Sequence, residues 1–168
     1  LLVYYSTMII MGIDPGVARV GWAAVEELTG KHKALAYGCI TTDKSSALPD
    51  RLMQIHGSLI QLFKKYQPDS VAVEDLFFAT NAKTAIMVGQ ARGVILLTSA
   101  QASIPVVSYT PLGVKLAITG SGNAEKNQVQ RMVTRLLHLK EIPTPDDTAD
   151  ALAIALTHAC SYKMKGKL

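Results

Sequence analysis

The sequence predicts a mixed α/β domain, and three patterns carry that prediction. The chain opens with three short apolar runs separated by turn residues. It then changes period, with Leu48, Leu52, Ile55, Leu59 and Leu62 recurring at helical spacing. From there strand-like and helical stretches alternate before the chain closes on helices. The order β-β-β-α-β-α-β-α-α-α gives a five-stranded mixed sheet with helices on its faces.

Each element has a local reason. Ile9 to Ile13 is an apolar run ending at Asp14-Pro15-Gly16, a strand running into a turn. Val20 to Val25 and Ala34 to Thr41 are the next strands, and Thr29-Gly30 turns between them, so the three form an antiparallel meander. The first helix carries Pro49 in its first turn. Ser70 to Glu74 is a buried strand ending in an acid. Asn81 caps a helix running to about Ala102, on which Gly89 and Gly93 lie one turn apart and imply close packing on the sheet. Ile104 to Tyr109 is the fifth strand. Helices follow at about Pro111 to Ile118, Ala124 to His138 and Asp147 to Tyr162. Residues 8–162 then form one domain, with residues 1–7 as an extension ahead of Met8 and 163–168 as a basic, frayed tail.

Composition narrows the function classes. At 168 residues and 49% hydrophobic, the chain holds one sizeable core. Its net charge of +4 suits an anionic partner such as nucleic acid. Cys39 and Cys160 stand far apart in apolar stretches, with no CxxC or Cys/His cluster, so they read as buried thiols and not as zinc ligands. No apolar stretch reaches the roughly 20 residues needed to span a bilayer, so the expected location is the cytoplasm. Gly120 and Gly122 near Lys126 lack the spacing of a nucleotide-binding P-loop.

The carboxylates carry the chemistry. Asp14 and Glu74 each end a buried strand, and each has a structural reading, as a turn residue and as the point where a strand surfaces. Asp147 and Asp150 share one helix face. Thr144 and Asp147 have capping-box spacing. Asp150 is harder to explain structurally. It lies between Ala149 and the run Ala151 to Ala155, and a lone charge there wants a partner or a cation. If the first and fourth strands are neighbours, Asp14 and Glu74 emerge together at one sheet edge, and a helix across it adds the other two. Four carboxylates make a hard oxygen site that suits Mg²⁺ or Mn²⁺, and two such ions support in-line phosphodiester hydrolysis.

Five stretches, in order and spacing, resemble the RuvC family of Holliday-junction resolvases. They are Gly12-Ile13-Asp14-Pro15-Gly16, Val73-Glu74-Asp75-Leu76-Phe77, Gly89-Gln90-Ala91-Arg92-Gly93, Ala124-Glu125-Lys126 with Asn127 to Gln130, and Asp147 to Ala155. The resemblance implies a ribonuclease H-like fold. It implies a homodimer that resolves four-way DNA junctions by paired symmetric nicks, with a branch-migration complex of the RuvA and RuvB type as a partner. It places metal binding and catalysis on Asp14, Glu74, Asp147 and Asp150, base stacking on Phe77, and DNA contact or catalytic assistance on Lys115 and Lys126. Phe77 and Phe78 fit core positions equally well, the two lysines also fit a solvated helix face, and Arg92 fits a structural role as well as a motif role. Asp146 has no counterpart and stays outside the metal set. Ribonuclease H-like nucleases of ribosomal RNA maturation lack this run of motifs. Actin-like ATPases need two such domains, and a non-catalytic junction binder leaves four acids facing phosphates unexplained.

Overall fold

The computed structural model describes residues 7–75 and 82–165, with side chains in the last helix to Ser161. The elements are β1 (Met8–Asp14), β2 (Arg19–Leu28), β3 (Lys31–Thr41), α1 (Leu48–Tyr66), β4 (Ser70–Glu74), α2 (Ala82–Gln101), β5 (Val106–Tyr109), α3 (Pro111–Thr119), α4 (Lys126–Leu136) and α5 (Asp146–Lys165). They follow the expected order. The sheet order is β3-β2-β1-β4-β5. The first three strands are antiparallel, and β4 and β5 run parallel to β1. This is the ribonuclease H-like fold, with helices on both faces.

Side-chain alternation divides the core in two. Met11, Ile13, Val71 and Val73 face α1 and α2 and pack on Ile55, Leu59 and Ile95. Ile10 and Ala72 face the other way, onto α3, α4 and α5. The same alternation points Asp14 and Glu74, two residues on from Gly12 and Ala72, toward the face that α5 covers.

Helix α5 lies unusually close to the sheet because two strand residues have no side chain. A Cβ at Gly12 would collide with the Ala151 carbonyl, and one at Gly21 with the Asp147 carbonyl. Ala149 and Ala151 to Leu156 are buried almost completely, so small residues on helix and strand meet backbone to backbone. Helix α3 starts at Thr110, whose side chain accepts a bond from the Gly113 amide at 3.1 Å, and stops at Gly120 in the left-handed conformation. In α4 the Gln128 side chain accepts from the Glu125 amide at 2.8 Å, which fixes the helix start two residues later than expected from sequence.

Several expectations need correction. Strand β5 begins at Val106: the Pro105 carbonyl accepts from the Val71 amide at 2.9 Å but proline has no N–H to donate, and the Ile104 amide donates back to Ser99. Gly93 does not pack on the sheet. It faces open space, and α2 buries Ala91, Ile95, Thr98 and Ser99 instead. Cys39 is half-buried and Cys160 is exposed, because Cys160 follows the last buried turn of α5. Helix α5 begins at Asp146, so the residue before it is Pro145 and Thr144 is not the cap. It also continues to Lys165, through part of the stretch expected to fray. Asn81, Phe77 and Phe78 lie outside the described residues, as do residues 1–6 and 166–168. No helix among the described residues is long and apolar enough to cross a membrane.

Candidate active site

The structure brings Asp14, Glu74, Asp147 and Asp150 to one cleft of ≈ 870 Å³. Strands β1 and β4 pair in parallel with Ile13 beside Val73, so the next residues, Asp14 and Glu74, leave the sheet side by side. Helix α5 supplies the other two acids from its first turns. The clearance at Gly12 and Gly21 is what lets it do so.

The electrostatics of the cleft are those of crowded acids. Burial pushes the Asp14 carboxyl up to about 8, and the charges of Asp150, Glu74 and Asp147 add to that shift. Burial and then Asp150 push Glu74 up to about 7. Burial also raises Asp150, against the lowering effect of Lys126. Among the described residues neither Asp14 nor Glu74 has an ion-pair partner.

Two basic residues meet the other two acids. Lys126 Nζ lies 2.9 Å from Asp150 Oδ2 and 3.3 Å from Asp146 Oδ2. Arg19 Nε lies 3.2 Å from Asp147 Oδ2, an ion pair without hydrogen-bond geometry, since that buried oxygen accepts no bond. As the side chains stand, no three His, Cys, Asp or Glu among the described residues are gathered closely enough to hold a metal ion.

Residues around the cleft take distinct places. Asp146 is mostly exposed and is bonded to Lys126 and Gln130, so it lies outside the carboxylate cluster. Lys115 and Lys126 line a smaller adjoining cavity of ≈ 230 Å³ together with Glu74 and Asp150. Arg92 joins strand ends, with its guanidinium 3.2 Å from Asp75 and donating to Ser108 at 2.7 Å, which is a structural placement. Sequence reasoning missed Arg19, for which an arginine after an Asp-Pro-Gly turn gave no separate signal. It also missed Cys39, which β3 sets opposite Gly21 and within the field of Asp147. Thr42 and Arg51 brace the β1–β2 turn. The Thr42 hydroxyl donates to the Val17 carbonyl at 2.6 Å and accepts from Arg51 at 2.8 Å.

Comparison with known proteins agrees with this arrangement over nearly the whole chain. Residues 10–158 match the family model described as crossover junction endodeoxyribonuclease RuvC. A protein of that name from Halothermothrix orenii is 52% identical over 160 residues, 95% of this chain and 97% of the relative. One from Desulforamulus reducens is 53% identical, over 90% and 93% of the two chains. The solved structure of Thermus thermophilus RuvC in complex with a Holliday junction substrate superposes with a TM-score of 0.89 at 38% identity, covering 94% of this chain and 96% of that one. With a family match, half its residues and its fold in common with these proteins, the chain belongs to the RuvC family of crossover junction endodeoxyribonucleases.

Proposed function

We propose that this chain is a Mg²⁺-dependent endonuclease that resolves four-way DNA junctions by paired symmetric nicks in recombination and repair. The observation that carries the reading is the convergence of Asp14, Glu74, Asp147 and Asp150 in one cleft, on a chain about half identical to junction endonucleases. Nucleases of this family depend on a metal ion.

The donor set fits a hard divalent cation. All four groups offer carboxylate oxygen, and among the described residues no thiol or imidazole lines the cleft with them; its sulfur is the Met87 thioether, too soft a donor for such a cation. Asp14 and Glu74 hold protons near neutrality because burial and neighbouring acids oppose their ionisation, and a divalent cation relieves that opposition. Asp14, Glu74, Asp147 and Asp150 would hold the metal, with two Mg²⁺ ions per site and Mn²⁺ able to substitute. When bound, the ions supply activation of the attacking water and stabilisation of the leaving oxygen.

The protein's own groups do the rest. Lys126 balances Asp150 and sits where a backbone phosphate would enter, and Lys115 adds charge on the same side. Arg19, at the opening of the cleft, offers a second cation to the incoming strand. Phe77 is proposed to stack on an unpaired base beside the cut.

A homodimer places two such clefts on one junction. Support comes from α2, where Ile86 and Leu97 are more than half exposed and Gly93, between them at helical spacing, leaves room for close approach. A branch-migration complex of the RuvA and RuvB type is the proposed partner, and the cytoplasm the proposed location.

The test is a nicking assay on a four-way junction, a linear duplex and an RNA–DNA hybrid, each with Mg²⁺ and with EDTA. Paired nicks in the junction alone, absent in EDTA, are the expected result. Preferential cutting of the hybrid or of structured RNA would overturn the substrate assignment.

A further inference from the structure

We propose that the groove between the α3–α4 loop and the outer face of α4 binds a second stretch of DNA backbone, apart from the one held over the carboxylates, through Arg131 and Arg135. The proposal rests on the nuclease reading and says where another part of the same substrate is held.

The groove encloses ≈ 560 Å³. Its loop wall presents Thr119, Ser121 and Asn123, and its helix wall presents Gln128, Arg131 and Arg135. Among the described residues no carboxylate lines it. The two arginines stand one helical turn apart, both exposed, and among the described residues neither has an acidic partner. Arg19, Arg92 and Lys126, by contrast, are each engaged by an aspartate. Two unengaged guanidiniums beside hydroxyl and amide donors form a surface that matches phosphate oxygens. A protein partner would call for an apolar or aromatic centre, and the lining offers only Met132 and Ala124.

The walls are held in place before any ligand arrives. Thr119 Oγ1 donates to the Lys115 carbonyl at 2.8 Å and accepts from the Ser121 amide at 3.2 Å. Gly120 takes a left-handed conformation. Gly122 lies against the end of the Leu112 side chain. The opposite wall is a helix whose inner face is anchored by Val129 and Val133.

Helix geometry separates this groove from the cleft. Lys126 points to the carboxylates, and Arg131 and Arg135 lie about 140° and about 180° around α4 from it. They are only about 7 and 13 Å further along the axis. One strand cannot lie over both faces of a helix, so α4 stands between two backbone segments. A branched substrate offers such diverging segments, and a linear duplex does so poorly.

The experiment measures binding of a labelled four-way junction and of a linear duplex as salt is raised. It compares Asp14→Asn, which leaves the DNA uncut, with the same chain also carrying Arg131→Ala and Arg135→Ala. Both arginines are exposed helix positions where alanine keeps the fold. A dimer on one junction carries the groove twice, so the salt slope for the junction should fall by about four units, one for each phosphate that an arginine neutralises, and that for the duplex by less than about two.

An unchanged junction slope would overturn the proposal. So would an equal fall on the linear duplex, which would place the arginines on the scissile backbone. Failure of the unsubstituted chain to nick junctions in Mg²⁺ would remove the nuclease reading and this inference together. Normal nicking with an unchanged slope would remove this inference alone.

Discussion

Asp14 sits among three other acids and, among the described residues, has no ion-pair partner of its own, and that isolation sets its behaviour. Replacing it with asparagine removes an ionisation that burial and the neighbouring acids oppose, and keeps the shape. Asp14→Asn should therefore bring nicking to background while raising the melting temperature in EDTA, readable by a gel assay and a thermal scan. Burial, reinforced by the same crowding, gives a pH dependence. The folded chain keeps protons on Asp14 up to about 8 and on Glu74 up to about 7, whereas the unfolded chain releases them near 4. Between those limits the folded state binds more protons, so these two groups make stability fall as pH rises. In EDTA the melting temperature should drop from about pH 5 to about pH 8.5, and added Mg²⁺ should reverse the drop at the alkaline end. A flat profile in EDTA would count against the clustering. Asp146, exposed and paired outward, should tolerate Asp146→Asn with nicking retained. At this scale the convergence of the acids was legible because Asp14 and Glu74 each end an apolar run, Asp150 interrupts one, and Asp147 shares the helix face of Asp150. Arg19 was not, since its meeting with Asp147 depends on how α5 lies across β2.

Helix α5 shows what an element adds to its residues. Its alanines predict a helix buried nearly all round, but nothing in its own sequence says which strands it crosses or how closely. Gly12 and Gly21 settle that, because neither leaves space for a side chain beneath the helix backbone. The colliding atoms are backbone carbonyls, which cannot turn aside. Gly21→Ala should cost at least about 1–3 kcal/mol in urea denaturation. It should also lower nicking more than stability alone explains, because the same shift carries Asp147 away. An unchanged midpoint would show that α5 does not rest on Gly21. The paired glycines were visible in the sequence, but their register across β1 and β2 was not. The opposite error occurred on α2, where glycines one turn apart suggested packing on the sheet. Gly93 faces outward, and the sheet side of that helix is set by Ala91 and Ile95.

For the whole molecule, two faces lead away from the cleft. The α2 face, with Ile86 and Leu97 exposed on either side of Gly93, is the proposed dimer seam. Leu97→Glu should shift the chain from dimer to monomer in sedimentation and reduce paired cutting to single nicks, because only a dimer aligns two clefts on one junction. A dimer that survives this change would move the seam elsewhere. The α4 face carries the arginine groove. The fold as a whole was readable from element order and the period change at Leu48, whereas sheet order needed the parallel pairing of β1 with β4 to be assumed. The central claim, a metal-dependent junction nuclease built on the four acids, is tested most directly by mapping cuts on an end-labelled four-way junction. The assay runs the natural chain and Asp14→Asn side by side across a Mg²⁺ titration. The account predicts symmetric nicks that rise with Mg²⁺ for the natural chain and none at any concentration for Asp14→Asn. Symmetric cutting by both proteins, or cutting that persists in EDTA, would contradict it.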